Sequence, residues 1–276
     1  MRFRAALWAV ALVATARPAF GQVLAQATPV KYNLTVRPGE PVVRDVAISN
    51  LGPSPVVVRV RLSDWRLDEL GALSLAPLGT TANTLDGHVV FEPETFSLQP
   101  GETGHVTATL SLPADGPATR WGVLLSEVRP AVARSSTLGP RANAELGTTL
   151  YLSRAPQSEI RPEIVGLDLE RAPGDSLAVS VRVANPGARH FYVAGQLAVL
   201  DSAGRHVAEG PLPTGVVLPG ARRTFHWSSS MPLPPGHYLA QATLDTGQPE
   251  LLVGEMEFSW PLVTPVAPPL AGRTAH

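Results

Sequence analysis

The sequence repeats one order of turns and strand-like runs in its two halves, and this repeat limits what the chain can fold into. The first half reads Pro38-Gly39-Glu40, then an apolar run, then Asn50-Leu51-Gly52. The second half reads Pro173-Gly174-Asp175, a similar run, and Asn185-Pro186-Gly187. Pro-Gly and Asn-x-Gly segments between short apolar runs mark turns between strands. The chain is therefore expected to contain two copies of one β module.

The later parts of the two halves are also alike. Gln99-Pro100-Gly101 leads into the run 106–112, and Leu218-Pro219-Gly220 leads into the run 224–227. In the segment 56–62, apolar and polar residues alternate with a period of two, which indicates a strand with one buried face. About seven such strands at regular spacing are typical of an immunoglobulin-like domain. The prediction is an all-β chain with two tandem immunoglobulin-like β-sandwich domains.

The domain limits follow from changes in composition along the chain. The first sandwich is predicted at 28–156, with a polar insertion at 71–87 that carries a small hairpin, and the second at 157–262. A tail at 263–276 is rich in proline and is predicted to be disordered or extended.

The first residues resemble an export signal, predicted to span residues 1–27. Arg2 and Arg4 precede the apolar stretch 5–14, which has the length of a signal h-region and is too short to span a bilayer. Cleavage is expected after Ala19-Phe20-Gly21 or after Ala25-Gln26-Ala27, and we favour the second. No later segment is apolar enough to cross a membrane, so the mature chain is predicted in the periplasm or at the cell surface.

Composition and motifs argue against several functions. A formal net charge of −1 gives no electrostatic case for nucleic acid, and the absence of cysteine excludes disulfides and thiolate chemistry. The sequence has no Gly-x-Ser-x-Gly elbow, phosphate-binding glycine loop or His-Glu-x-x-His motif. The predicted second domain contains four histidines, none at a short ligand spacing from another: His190, His206, His226 and His237. We therefore predict no catalysis, no cofactor and no metal.

Two tryptophans of the first half differ in predicted direction. Trp65 ends the alternating run 56–62 on the parity opposite to the core, so it is a candidate exposed anchor for a partner. The alternative is that it covers an edge of the sandwich. Trp121 alternates with apolar residues and is expected in the core.

Several segments together resemble the PapD-like periplasmic pilus-chaperone superfamily and related envelope proteins. They are the run 96–102, the strand 106–112, Arg120-Trp121-Gly122-Val123-Leu124-Leu125, and the run 145–152 followed by Pro156. The resemblance implies that the last strand of the first domain pairs with an incomplete subunit and fills its groove with alternating side chains. Here that row is Leu146, Thr148, Leu150 and Leu152.

The resemblance further implies a pair of basic residues in the cleft between the domains, which holds the terminal carboxylate of the subunit. Lys31 and Arg154 are the candidates. The predicted function is a non-enzymatic chaperone-like assembly factor for secreted or pilus-type subunits. The alternatives are a structural or adhesive envelope protein and, third, an enzyme on a sandwich scaffold. If the row faces a partner, Leu150→Glu should abolish binding without unfolding the domain.

Overall fold

The computed structural model describes residues 23–131 and 143–262. Within these ranges the regular elements are strands, arranged in two sandwiches, so the predicted fold class is confirmed. None of the described residues forms a helix long and apolar enough to cross a membrane.

The first sandwich is built from the strands that precede residue 155. They are β1 Ala25–Thr28, β2 Lys31–Val36, β3 Val42–Asn50, β4 Val56–Leu67, β5 Leu73–Ala76, β6 Val89–Glu92, β7 Thr95–Leu98, β8 Thr103–Leu110, β9 Thr119–Pro130 and β10 Ala144–Arg154. One sheet has the order β1-β3-β8-β6. The other has the order β2-β10-β9-β4-β5, and β7 also pairs with β4. The insertion 71–87 contributes one strand, β5, which pairs with the end of β4, so the hairpin is not contained in the insertion as predicted.

The second sandwich is built from seven strands of the described chain. They are β11 Glu163–Ala172, β12 Ser176–Ala184, β13 Phe191–Asp201, β14 His206–Val217, β15 Arg222–Pro232, β16 Gly236–Asp245 and β17 Leu252–Trp260. One sheet has the order β11-β12-β15 and the other β14-β13-β16-β17. Each sandwich encloses its own apolar core, because alternate residues of facing strands point inward.

The repeated Asn-x-Gly segment forms the same turn in both domains. The Asn50 side-chain amide donates to the carbonyls of Ser54 at 2.9 Å and Leu98 at 3.3 Å, and its oxygen accepts from Gly52 at 3.0 Å. Asn185 is almost fully buried, as Asn50 is. Its side-chain amide donates to the carbonyls of Arg189 at 2.9 Å and Val217 at 3.0 Å, and its side-chain oxygen accepts from the amide of Gly187 at 3.0 Å. The repeat in the sequence is thus a repeat of structure.

The Pro-Gly turns meet these asparagines from the neighbouring strand. The amide of Gly101 donates to the Asn50 carbonyl, and the amide of Gly220 donates to the Asn185 carbonyl, both at 2.8 Å. Both glycines have positive φ, 79° and 71°, where a side chain would be strained. Glycine at these two positions is therefore required by the turn itself.

The part of the insertion that follows β5 is held in place by the buried carboxylate of Asp64. Asp64 accepts hydrogen bonds from the amides of Thr80 and Thr81 at 3.0 and 2.9 Å, and from the hydroxyl of Thr84 at 2.6 Å. The loop also sends Leu85 into the core of the first domain. These contacts make the polar insertion an ordered part of the sandwich.

The predicted boundaries can be compared with the strands of the described residues only in part. The predicted 156/157 boundary lies between β10 and β11, and Leu262 packs on the second core. The predicted tail 263–276 and residues 1–22 of the predicted signal lie outside the described residues. Ala25–Thr28, which cleavage after Ala27 would mostly remove, is strand β1 paired with β3. Cleavage after Gly21 would keep this strand.

Candidate functional site

Strand β10 is the centre of the candidate site because its two edges differ along its length. On one side it pairs antiparallel with β9 from Ala144 to Ser153. On the other side it pairs parallel with β2, but only from Thr149 to Arg154. No other described strand pairs with residues 144–148 on that side, so this part of β10 is an open edge.

The direction of the backbone groups at the open edge follows from the neighbouring hydrogen bonds. The amides of Thr149 and Ala155 donate to carbonyls on the β2 side, whereas the amide of Arg154 donates to Ala118 on the β9 side. Because backbone direction alternates along a strand, Glu145 and Gly147 direct their amides and carbonyls toward the open side. An extended segment placed there would find unpaired donors and acceptors.

Of the four residues in the predicted partner row, only Leu146 is not fully buried. Leu150 and Leu152 are fully buried in the first core, and their part of β10 is already paired on both sides. Thr148 is buried and its hydroxyl donates to the carbonyl of Pro29 at 2.9 Å. Leu146 is half-buried and lies in the open part. The sequence showed the alternation but not the parallel strand that covers its second half.

Apolar side chains surround the open edge. Leu146 packs on the first core from β10 itself, and Val23 and Ala25 pack on the same core from the side of the facing sheet. Val30, whose carbonyl accepts from Thr149 at the end of the open part, is 69% exposed. An added strand could therefore bury apolar side chains as well as pair its backbone.

The outer face of the same sheet packs against the second domain through aromatic rings. Trp65 is only 2% exposed, with its ring 6.4 Å from that of Trp121 and 5.8 Å from that of Tyr151. Leu218 of the second domain belongs to the same buried cluster. The prediction that Trp65 points away from the core is correct in direction, but its exposure is wrong because the second domain covers this face. Trp121 likewise lies in this buried cluster between the two domains and not in the core of the first domain.

The contacts between the two domains extend to His190, which sequence reasoning missed. Its ring stacks on Tyr151 at 4.5 Å and meets Tyr192 edge-on at 5.7 Å. Burial raises the pKa of Tyr151 far above its usual range. Burial, followed by the nearby charges of Arg189 and Lys31, lowers the pKa of His190 to about 4. We use the term joint for this set of contacts between the aromatic face of the first domain and residues 190, 192 and 218.

Polar contacts flank the joint. The backbone amide of Thr224 donates to the carbonyl of Glu69 at 2.7 Å, and its hydroxyl donates to the Glu69 carboxylate at 3.2 Å. On the other flank, Gln157 of the connecting segment bonds to Thr35 and to Arg189. The two domains are thus held together by a buried aromatic centre with hydrogen bonds at its rim.

The two candidate basic residues do not form a pair. Lys31 and Arg154 lie at opposite ends of the β2–β10 ladder, opposite Thr149 and Val36 respectively, which separates them by roughly 16 Å. The ammonium of Lys31 lies 4.1 Å from the centre of the Tyr192 ring, a cation–π contact inside the joint. Arg154 instead lies near Arg120, whose pKa is lowered by burial and then by that neighbouring charge. The expectation of a shared basic cleft is therefore wrong for these two residues.

The other three histidines of the second domain are dispersed. His206 bonds to Glu209, His226 to Ser180 and His237 to Ser259. Across residues 23–131 and 143–262, no group of three histidine, aspartate or glutamate side chains could hold a metal ion. These three histidines are ordinary exposed side chains with local partners.

No family model and no curated protein matches the sequence. Among solved structures, the chain is similar to a chain of the CsuC–CsuE chaperone–tip adhesion subunit complex from Csu pili of Acinetobacter baumannii, with 12% identity and a TM-score of 0.46. That match covers 84% of this chain and 98% of the other. It is also similar to the CupB2 chaperone of Pseudomonas aeruginosa, at 14% identity, a TM-score of 0.45, and 84% and 98% coverage.

A third similar structure is a chain of the SafA pilin–SafB chaperone complex of Salmonella enterica. The identity is 14%, the TM-score 0.42, and the match covers 87% of this chain and 98% of the other. The similarity is thus to pilus chaperones, which the sequence also resembles. At these identities and TM-scores, the similarity does not decide what this chain binds.

Proposed function

We propose that this protein is a non-enzymatic, chaperone-like assembly factor that binds a secreted or pilus-type subunit by strand addition at β10. The observation that supports this most directly is the open edge at residues 144–148, with the backbone of Glu145 and Gly147 directed outward. Strand addition supplies affinity through backbone hydrogen bonds and specificity through side-chain pockets. Of the originally predicted row, the proposal now uses Leu146 alone.

The environment of the edge fits an apolar partner strand. Leu146 points toward the first core, and Val30 exposes apolar surface at the end of the open part. Arg61 and Glu145 form an ion pair at 2.7 Å on the outer face, so the charges there already neutralise each other. A bound strand would continue the sheet and place alternate side chains over this apolar strip. The partner is therefore expected to offer an extended segment with every second residue apolar.

A second function is favoured by the joint. Trp65, Tyr151 and Leu218 fill the space between the domains, and Lys31 covers Tyr192 without reaching Arg154. A closed joint of this kind suits a stiff two-module structural or adhesive envelope protein, in which no carboxylate is held between the domains. This alternative predicts binding that does not depend on the β10 edge.

The test compares two substitutions at one exposed position. Glu145→Pro removes the outward amide, whereas Glu145→Ala keeps it and loses only the ion pair with Arg61. Proline is tolerated on strand edges, and the β9 pairing uses the other backbone parity. We expect the tagged mature protein to co-purify one secreted subunit from the periplasm in near-equal amount, and Glu145→Pro to reduce this recovery at least tenfold.

The controls separate loss of binding from loss of folding. Glu145→Ala should retain the subunit, and Leu146→Glu should lose it while the domain stays folded. Leu150→Glu should instead unfold the first domain, because the charge would be buried without a partner. Equal recovery with Glu145→Pro and Glu145→Ala would contradict strand addition and favour the structural function.

Export remains part of the proposal. The signal is proposed to direct the chain to the periplasm or cell surface, and cleavage after Gly21 is the choice that keeps β1 paired with β3. The mass of the mature N-terminus decides between cleavage after Gly21 and after Ala27. A chain beginning at residue 28 would lack three of the four residues of β1.

A further inference from the structure

The joint contains a titratable ring with little polar support. His190 is 5% exposed and lies between Tyr151 of the first domain and Tyr192 of the second. Its Nδ1 atom is buried without a hydrogen-bond partner. A neutral imidazole tolerates such a site, whereas an imidazolium would have to bury a charge and a second N–H donor there.

The groups that face His190 do not compensate a positive charge. Strand β10 contributes Tyr151, and β13 contributes Tyr192. Strand β2 contributes the ammonium of Lys31, and the turn before β13 contributes Arg189; both charges disfavour a proton on His190. None of these four groups carries a negative charge at neutral pH, so protonation would add a third cation to the joint.

We propose that His190 makes the joint between the two domains acid-sensitive. With a neutral imidazole the joint is closed and the aromatic rings stack. When His190 takes up a proton, the charged ring is more stable in water than between Tyr151 and Tyr192, so the second domain separates from the aromatic face. The two sandwiches keep their own cores, which do not include His190. This inference does not depend on the proposed function.

The direction of the pH effect follows from the pKa of His190 in the two states. In the closed joint the pKa is about 4, and in water it is the ordinary 6.5. The closed state therefore binds fewer protons, and docking is at full strength above pH 6.5. Docking weakens as the pH falls from 6.5 to about 4, by a total on the order of 100-fold, and changes no further below that.

Small-angle scattering of the mature full-length protein between pH 7.5 and pH 4 tests the proposal. We expect the maximum dimension of the wild type to increase with acid, while circular dichroism shows that the strands persist. His190→Phe keeps an aromatic ring that cannot be protonated, and it should stay closed. The matched control is His206→Gln at an exposed histidine, which should open as the wild type does.

A second variant gives a signed shift. Lys31→Gln removes one of the charges that lower the pKa of His190, so the pKa in the closed joint moves toward 6.5 and the total loss of docking strength between pH 7.5 and pH 4 should be smaller than in the wild type. If His190→Phe does not fold at neutral pH, His190→Gln provides the same comparison. If acid unfolds the whole chain in one step, the pH at which half of the protein is unfolded must be lower for the His190 variant than for the wild type. Opening of the His190 variant at the wild-type pH, or a wild type that stays closed at pH 4, would overturn the proposal.

Discussion

The same turn closes both sandwiches, but its surroundings differ between the two domains. Gln99 and Leu218 hold the same place, as shown by the bonds from Glu102 and Ala221 to their carbonyls at 3.0 and 3.1 Å. Gln99 and Glu102 are exposed in the first domain. Leu218 is buried and Ala221 packs beside it, both against the aromatic face of the first domain.

The comparison separates the residues that close each sandwich from the residues that form the contact between the domains. The hydrogen bonds of Asn50 and Asn185 are conserved between the two copies, since they close the sandwich itself. The residues that differ, Gln99 in the first domain and Leu218 in the second, lie outside this hydrogen-bonded turn. Gln99 faces water, whereas Leu218 contacts the aromatic face of the first domain. Pro55 and His190 are a further pair of this kind, each five residues after its asparagine. The fold and the joint are thus specified by separate residues.

Removing either buried asparagine should have the largest effect. Asn50→Ala and Asn185→Ala each delete three side-chain hydrogen bonds and leave one buried and one partly buried carbonyl without that donor. We expect the free energy of unfolding of the affected domain to fall by about 3 kcal/mol in each case. Hydrogen exchange with mass spectrometry, which reports on each domain separately, measures this. Destabilisation by only one of the two substitutions would show that the turns are not energetically equivalent.

Exchanging the outer residue should affect the joint more than the fold. Leu218→Gln gives the second domain the residue that the first has at Gln99, and should weaken docking by about 1–2 kcal/mol because an amide replaces a buried apolar side chain. Scattering should report a wider distribution of domain positions, while exchange within the second core stays at the wild-type level. Faster exchange throughout that core would mean that Leu218 belongs to the fold.

The reciprocal exchange should have the smallest effect. Gln99→Leu places an apolar side chain where the turn faces water, and the backbone bond from Gln99 to Glu102 does not involve its side chain. We expect a change in unfolding free energy within about 0.5 kcal/mol. Urea denaturation followed by circular dichroism measures it. A loss well above that limit would indicate that a neighbour covers this turn in the first domain too.

The sequence predicted the elements whose signal is local. The strand that contains the run 56–62 and the paired turns at Asn50 and Asn185 follow from period-two alternation and turn residues. The outward direction of Trp65 followed from the same parity. These features depend on residues that are close in sequence, and therefore a single chain is enough to find them.

The errors concern what covers a surface. Alternation gave Leu146 and Leu150 the same face, but only the parallel pairing with β2 separates an open position from a closed one. Trp65 and Trp121 were misjudged because the second domain supplies their cover. The exchange of Gln99 for Leu218 between the repeats was a usable signal of the joint. It becomes informative once the repeats are aligned position by position.

The parallel ladder between β2 and β10 also orders events during folding. It joins Lys31 and Thr149, which lie near opposite ends of the first domain in the chain. Because closing so long a loop costs entropy before its contacts form, this ladder should be among the last parts of the domain to form. Until then all of β10 has a free edge, and Leu150 and Leu152 lack their final cover. A newly exported chain would thus pass through a stage in which the unpaired edge of β10 is longer than in the folded protein.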